Sequence, residues 1–127
     1  MTSIPGSSEW FAGGVVAYSN HLKDVLLNVD RDLLRNYGAV SKQVAIAMAA
    51  RLAARVGTKV SLSITGIAGP GGGTEEKPVG TVYIGIFYKE KVKEVLHHFS
   101  GGRREIQALT AQTALDMVRR ALLTNGI

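Results

Sequence analysis

The chain has 127 residues, 46% of them hydrophobic and 20% charged, which is typical of one globular domain and excludes a disordered or fibrous chain. It contains no cysteine, and this excludes disulfides, thiolate metal sites and thiol catalysis. The net charge is +5, but the basic residues are spread along the chain without interleaved aromatic residues, so nucleic-acid binding is not expected.

The first half of the chain predicts one strand and two helices. Residues 11–19, FAGGVVAYS, have the β-branched and aromatic content of a buried strand, with two glycines that mark a bulge or a close backbone approach. Residues 20–28 carry apolar side chains at helical spacing behind Asn20 as the cap, which predicts a short helix. The clearest helix follows, with Ser41 as its N-cap and Gly57 as its stop.

The second half predicts three strands and a long helix. Residues 59–65 alternate apolar and polar side chains, and residues 80–88 and 91–99 form the next two strands. The few residues between these two favour an antiparallel hairpin. Apolar residues at helical spacing predict a helix over 103–123. This order of elements fits an α/β fold in which helices flank a mixed sheet.

Residues 65–86, TGIAGPGGGTEEKPVGTVYIGI, place six glycines before an apolar run. A phosphate-binding P-loop needs Gly-Lys-Ser/Thr at the start of a helix, whereas Lys77 is followed by Pro78 and a strand. A dinucleotide fingerprint needs G-x-G-x-x-G running into a helix, and this is missing too. Two interpretations remain open: a loop at a strand end whose backbone approaches a ligand, or a flexible connection between strands.

Four stretches of the sequence resemble one known family. They are PGSSEWFAGGVVAYSNHLK at 5–23, GAVSKQVAIAMA at 38–49, the glycine-rich segment at 65–86 and FSGGRREI at 99–106. Together they look like the C-terminal domain of CinA, the competence/damage-inducible protein, and the similarity runs along essentially the whole chain. The resemblance implies a three-layer α/β/α sandwich on a mixed β-sheet, as a single domain over residues 1–127.

The resemblance also implies an activity. Active members of the family are nicotinamide-nucleotide amidases, which convert nicotinamide mononucleotide to nicotinic acid mononucleotide and ammonia in pyridine nucleotide salvage. They are understood to hydrolyse the amide with a Ser/Lys pair assisted by a tyrosine, without a metal or a cofactor. A pyridine nucleotide is therefore the small-molecule partner that the resemblance predicts.

The family's functional positions map onto this sequence residue by residue. The tyrosine and the lysine of the first stretch are Tyr18 and Lys23, to which the resemblance assigns catalytic roles. The residues to which it assigns substrate binding are Asn20, Thr65, Gly66, Ala68, Gly69 and Arg103.

These residue types suit amide hydrolysis. A lysine becomes a general base when its ammonium is desolvated or lies beside other positive charge, because either lowers its pKa. Backbone N–H groups around Gly66 can hold an oxyanion, and the planar guanidinium of Arg103 can grip a phosphate. Taken without the resemblance, Tyr18 is more typical of a half-buried strand aromatic and Lys23 of a solvated helix residue.

The sequence departs from the family at the nucleophile. The family's serine lies in an E-S-C-T-G-G segment that begins a helix before P-G-S-S, and P-G-S-S starts here at Pro5. The family's first strand and nucleophile-bearing helix are therefore absent from the sequence, and we expect hydrolysis to be impaired. Two explanations stay open: a truncated product of a longer amidase, or a short paralogue that keeps the pocket but not the reaction.

The remaining expectations concern location and partners. No apolar segment approaches the ~18 residues that a membrane span needs, and the N-terminus lacks the pattern of a signal peptide, so we expect a cytoplasmic protein without a membrane partner. His97 and His98 face opposite sides of a strand, so no metal site is expected. The loss of a strand is expected to leave an unpaired edge. Such an edge favours a homo-oligomer, or a non-catalytic nucleotide-binding or assembly module as the alternative function.

Overall fold

Four α-helices and three β-strands make up the chain, and the structure, a computed structural model, describes all residues from 1 to 127. In chain order the elements are α1 (Asn20–Leu27), α2 (Arg31–Tyr37), α3 (Lys42–Val56), β1 (Val60–Gly66), β2 (Thr81–Tyr88), β3 (Lys91–His98) and α4 (Arg103–Thr124). A 3-10 turn at Ser7–Glu9 precedes them. No helix combines the length and the hydropathy that crossing a bilayer requires.

The three strands form one antiparallel sheet in the order β1-β2-β3. The central strand β2 pairs with β1 from Val60↔Tyr88 to Gly66↔Val82, and most of its residues are buried. Since β1 has a strand neighbour on one side only, its other edge is unpaired. All three strands pair antiparallel, whereas a mixed sheet also requires a parallel pair.

Helix α3 covers one face of the sheet at close range. The hydroxyls of Ser61 and Ser63 on β1 donate to the α3 carbonyls of Ala49 and Ala45, at 2.5 and 2.6 Å. Opposite them on β2, a Cβ atom added at Gly85 would lie 2.6 Å from the Ala45 oxygen. Small side chains on the strands and alanines on the helix therefore allow this approach.

Helix α4 covers the other face with apolar contacts. Val82 and Ile84 of β2 pack against Ile106 and Ala114 of α4. Another apolar cluster joins the three N-terminal helices through Leu27, Val29, Leu34, Val44 and Met48. The sheet thus has helices on both faces, which confirms the three-layer α/β/α arrangement expected from the sequence.

Most predicted boundaries agree with the structure, and α3 shows why. The Ser41 hydroxyl caps the helix by accepting from the Val44 N–H at 3.3 Å, and Gly57 ends it in the left-handed region at φ 75°. Helix α2 was not predicted as a separate element. It is a seven-residue helix capped by Asp30.

The strand predicted over residues 11–19 is not formed. Residues 12–18 make no backbone–backbone hydrogen bond, and Ser19 instead caps α1. β-branched composition alone does not create a strand, because the backbone groups of a strand need a hydrogen-bonded neighbour. The segment has the composition of a strand but no partner in this chain.

Replacing Gly85 with alanine should destabilise the protein because the new methyl group would collide with the Ala45 carbonyl and the Ser63 hydroxyl. Overpacking of this kind costs about 1–3 kcal/mol. Gly14→Ala is the matched control, since nothing lies within 4 Å of its Cβ position. Urea unfolding of both variants measures the difference, and equal free energies of unfolding would contradict the close approach of α3.

Candidate functional site

A cavity of about 400 Å³ lies between β1 and residues 15–18, and its walls are mainly apolar. Met48 and Leu52 of α3 also line it, as does Leu27 of α1. One wall is the unpaired edge of β1 from Leu62 to Gly66. The cavity therefore lies where the sheet ends and the irregular N-terminal segment passes beside it.

Lys23 is the one charged residue that lines this cavity, and it is only 7% exposed. Its Nζ donates a hydrogen bond to the carbonyl of Ala17 at 2.9 Å, and none of the ion pairs in the structure includes it. Burial lowers the pKa of the Lys23 amine from its ordinary value, because a buried ammonium loses solvation. The neutral amine is thus present at lower pH than in a solvated lysine.

The local sequence explains why Lys23 points inward. Ser19 caps α1 by accepting from the Leu22 N–H at 3.1 Å, which starts the helix at Asn20. The four-residue spacing then puts Lys23 and Leu27 on one helix face, and these two are the buried residues of α1.

The hydrogen-bond register of β1 determines which backbone groups face the cavity. The Ile67 N–H donates to the Thr81 carbonyl and the Lys89 N–H to the Lys59 carbonyl, so odd-numbered residues of this pair bond across to β2. Even-numbered residues direct their N–H and C=O groups away from β2, toward the unpaired edge. Those that line the cavity are Leu62, Ile64 and Gly66.

Thr65 and Gly66 end β1 at one end of the cavity. The Thr65 hydroxyl donates to the Ala39 carbonyl at 2.7 Å, which fixes the strand end to the turn before α3. A Cβ atom added at Gly66 would lie 2.7 Å from the Val82 side chain. Gly66 is therefore required by packing, while its backbone N–H remains directed at the open edge.

The glycine-rich loop between β1 and β2, residues 67–80, is folded. Cβ atoms added at Gly69 and Gly73 would lie 2.6 and 2.8 Å from atoms of Val79, and one at Gly80 would collide with the Phe99 carbonyl. Within the loop, the Thr74 N–H donates to the Lys77 carbonyl at 2.9 Å. Close packing accounts for several glycines, so the loop is not merely a flexible connection.

Two cationic side chains hold the loop to its surroundings. Arg103, the first residue of α4, donates from Nη1 to the Gly69 carbonyl at 2.8 Å. Lys77 donates from Nζ to the Tyr37 carbonyl at the end of α2, at 2.9 Å. One guanidinium N–H of Arg103 is used in this way, and others stay available.

The structure brings four of the residues assigned by resemblance to one cavity and places the others outside it. Tyr18, Lys23, Thr65 and Gly66 line the cavity. Tyr18 is 83% exposed, and its hydroxyl makes no hydrogen bond. The others lie in three different places: Arg103 with Gly69 at the loop, Ala68 packed under α4, and Asn20 in a second hollow beside Asp24 and Arg31.

The sequence does not indicate the roles of two groups near the site. The Ala17 carbonyl orients Lys23, but a main-chain oxygen leaves no trace in residue type. Lys77 does not belong to a P-loop motif, yet its side chain anchors the loop to the end of α2. Its position between Glu76 and Pro78 gives no indication of this contact.

Comparison with known proteins decides the family. A sequence model of the CinA C-terminal domain matches residues 1–122. The chain belongs to the CinA C-terminal domain family. It is 52% identical over 123 residues to a CinA-like protein of Acidobacterium capsulatum, covering 97% of this chain and 30% of that protein. A CinA-like protein of Syntrophomonas wolfei is 52% identical over 130 residues, again over 30% of its length.

A solved CinA-family structure has the same fold. The competence/damage inducible protein of Agrobacterium tumefaciens is 39% identical, with a TM-score of 0.90 over 94% of this chain and 73% of that one. The resemblance seen in the sequence is therefore confirmed at the level of family and fold. The chain spans about 30% of the length of the curated relatives that it matches.

The buried amine predicts a pH dependence of stability. Because the folded pKa of Lys23 lies below the 10.5 of a free lysine, the unfolded chain binds more protons between these two values. Stability attributable to Lys23 should therefore rise as pH increases toward 10.5, and Lys23→Met should remove this rise. Urea unfolding across that range measures it.

Lys59→Met, at an exposed position, is the matched control for the loss of one positive charge. If the curves of wild type and Lys23→Met stay parallel over the range, the amine is not desolvated in the folded state.

Proposed function

We propose that this chain is the nucleotide-binding part of a nicotinamide-nucleotide amidase of the CinA family. The substrate class is a phosphorylated pyridine riboside that carries a carboxamide. The proposal rests chiefly on one observation, the Lys23 amine enclosed in an apolar cavity that also contains the end of β1. Family membership supports the same substrate.

In this proposal Lys23 is the general base. Its lowered pKa favours the neutral amine, whose lone pair can accept a proton from an attacking hydroxyl. The Ala17 carbonyl accepts one N–H of that amine and so restricts its orientation. Attack on the carboxamide carbon forms a tetrahedral oxyanion. Its collapse breaks the C–N bond while Lys23 returns the proton to the leaving nitrogen, which departs as ammonia, and water then hydrolyses the remaining ester to the carboxylate.

The end of β1 is suited to stabilise the oxyanion. The outward N–H of Gly66 belongs to a strand end fixed by the bond from Thr65 to Ala39, so it needs no rearrangement to meet a developing charge. Tyr18 lies at the exposed rim of the same cavity. We assign it a proton-relay or positioning role at that rim.

Arg103 and the glycine-rich loop are assigned to the phosphate. The guanidinium lies against Gly69 with several N–H groups left over, and a planar fork of donors suits a phosphate. The N–H groups of Gly71, Gly72 and Gly73 make no backbone–backbone hydrogen bond and add further donors.

The serine to which the resemblance assigns the nucleophile role has no counterpart among these 127 residues. Ser63 is the one serine that lines the cavity, and it is 5% exposed with its hydroxyl donating to the Ala45 carbonyl at 2.6 Å. That bond lies on the α3 side of the sheet and engages the hydroxyl proton. We therefore expect nucleotide binding with little or no hydrolysis by this chain alone.

A second candidate function is a non-catalytic nucleotide-binding or assembly module that forms homo-oligomers. The unpaired edge of β1 is the observation that favours it. Calorimetry separates an assembly module from the proposed function, because a module that acts only through its edge binds no pyridine nucleotide at millimolar concentration.

Titration calorimetry with nicotinamide mononucleotide tests the assignment of Arg103. We expect Arg103→Met to weaken binding at least ~10-fold, because a charge-assisted contact to phosphate contributes about 1.5–3 kcal/mol. Arg104→Met is the matched control and should change affinity less than ~2-fold, since Arg104 is exposed and the loop contact of this pair of arginines is made by Arg103.

Nicotinamide riboside, which lacks the phosphate, separates a phosphate contact from a loop anchor. Arg103→Met should leave riboside binding nearly unchanged if Arg103 binds the phosphate. If Arg103→Met weakens the binding of both ligands equally, Arg103 does not bind the phosphate. In a separate assay, release of ammonia at a rate typical of a competent enzyme would contradict the expectation of impaired hydrolysis.

A further inference from the structure

We propose that Lys77 is a positioning residue for the phosphate end of the candidate site. Its bond to the Tyr37 carbonyl holds the glycine-rich loop in place relative to the end of β1. Lys77 thereby sets the preference for a nucleotide over the corresponding riboside, without touching either ligand. This inference deepens the proposed function and rests on it.

The turn that joins α2 to α3 is the common anchor. Three successive carbonyls of this turn each accept a side-chain hydrogen bond from a different part of the chain, and they belong to Tyr37, Gly38 and Ala39. Their donors are Lys77 of the loop at 2.9 Å, Ser41 at the start of α3 at 2.9 Å and Thr65 at the end of β1 at 2.7 Å. One short segment of backbone therefore holds the loop, the helix and the strand end together.

Lys77 is built into a closed turn at the tip of the loop. The Thr74 N–H donates to the Lys77 carbonyl at 2.9 Å, and the Lys77 N–H donates to the Thr74 hydroxyl at 3.0 Å. Because two hydrogen bonds join the same pair of residues, Thr74 moves with Lys77. Thr74 directly follows the three glycines whose N–H groups are the candidate phosphate donors, Gly71, Gly72 and Gly73.

Packing extends this restraint through the rest of the loop. Cβ atoms added at Gly69 and Gly73 would lie 2.6 and 2.8 Å from atoms of Val79, which follows Lys77 by two residues. The two halves of the loop are therefore in close contact and shift together. Gly69 is also the residue whose carbonyl accepts from Arg103. The lysine and the arginine thus hold one packed unit from two sides.

The position of the Lys77 amine suits a cation. Carbonyls in the last turn of a helix lack intrahelical partners and lie at the negative end of the helix dipole, and Tyr37 is the last residue of α2. Lys77 takes part in none of the ion pairs, so the Tyr37 carbonyl is the one partner of its amine. A Cβ atom added at Gly38 would lie 3.8 Å from the Nζ of Lys77, so the amine lies directly over the turn.

Loss of this anchor has different consequences for two ligands. Nicotinamide mononucleotide contacts both the end of β1 and the loop in the proposed function, whereas nicotinamide riboside has no phosphate for the loop to bind. The bond from Thr65 to Ala39 fixes the strand end without Lys77. A loop that is no longer held therefore weakens the binding of the mononucleotide and leaves that of the riboside nearly unchanged.

Titration calorimetry of Lys77→Met with both ligands tests this difference. We expect the mononucleotide to bind at least ~5-fold more weakly and the riboside to change less than ~2-fold. Lys77→Arg keeps a cationic donor and should restore the mononucleotide affinity to within ~2-fold of the unaltered chain. Lys59→Met, at an exposed position, is the matched control for the lost charge. The effect of Lys77→Met should persist in about 0.5 M NaCl, where long-range attraction between charges is screened.

Amide hydrogen exchange tests the anchor without nucleotide. In Lys77→Met the Thr74 amide should exchange at least ~10-fold faster, while the Ala45 amide of α3 and the urea unfolding curve stay close to those of the unaltered chain. Unchanged exchange at Thr74 would overturn the inference, and so would an equal loss of affinity for both ligands.

The same titrations separate this inference from the proposed function. If the unaltered chain binds no mononucleotide, the proposed function is wrong and the positioning role is lost with it. If the unaltered chain and Lys77→Met bind the mononucleotide equally tightly, the positioning role alone is wrong.

Discussion

The hydrogen bond from Lys23 to the Ala17 carbonyl is the interaction on which the site depends. Residues 12–18 have no other hydrogen bond to the rest of the protein, so this contact holds the N-terminal segment beside α1 and keeps the cavity bounded on that side. The same contact gives the buried amine its single partner. The lowered pKa of Lys23 has a separate cause, the burial of its amine in the cavity.

Odd-numbered and even-numbered residues of β1 make different contacts. Ser61, Ser63 and Thr65 donate side-chain hydrogen bonds to carbonyls of Ala49, Ala45 and Ala39, while the backbone at these odd positions bonds to β2. The even positions direct their backbone groups at the cavity. The side-chain bonds of the odd-numbered residues therefore hold β1 in place on α3. The N–H and C=O groups along its unpaired edge stay available. The candidate oxyanion donor, the N–H of Gly66, is one of these available groups.

Elements whose signals are local could be predicted from the sequence. The cap at Ser41, the stop at Gly57 and the period-two pattern of β1 gave boundaries within one or two residues of those observed. The segment 11–19 was predicted wrongly as a strand, because composition reports what a strand prefers and not whether a neighbour is present. The structure shows that residues 12–18 have no hydrogen-bonded strand beside them.

Less of the candidate site could be predicted from the sequence. Tyr18 and Lys23 came from the family resemblance, and neither residue type marks a site without it. The contact between Lys23 and Ala17 is a main-chain contact, and the packing of Gly69 and Gly73 on Val79 depends on the fold of a loop. Glycine content predicted an unusual backbone there, but it did not distinguish close packing from close approach to a ligand.

The most direct test of this account is the ionisation of Lys23 itself. Selective ¹³C labelling of lysine side chains and an NMR titration of the Lys23 Cε resonance, assigned with Lys23→Met, report its pKa in the folded protein. We predict a pKa below 10.5 for Lys23 in the folded protein. A Lys23 resonance that titrates at the ordinary value of a solvated lysine would show that the amine is not enclosed, and the proposed general base would be lost with it.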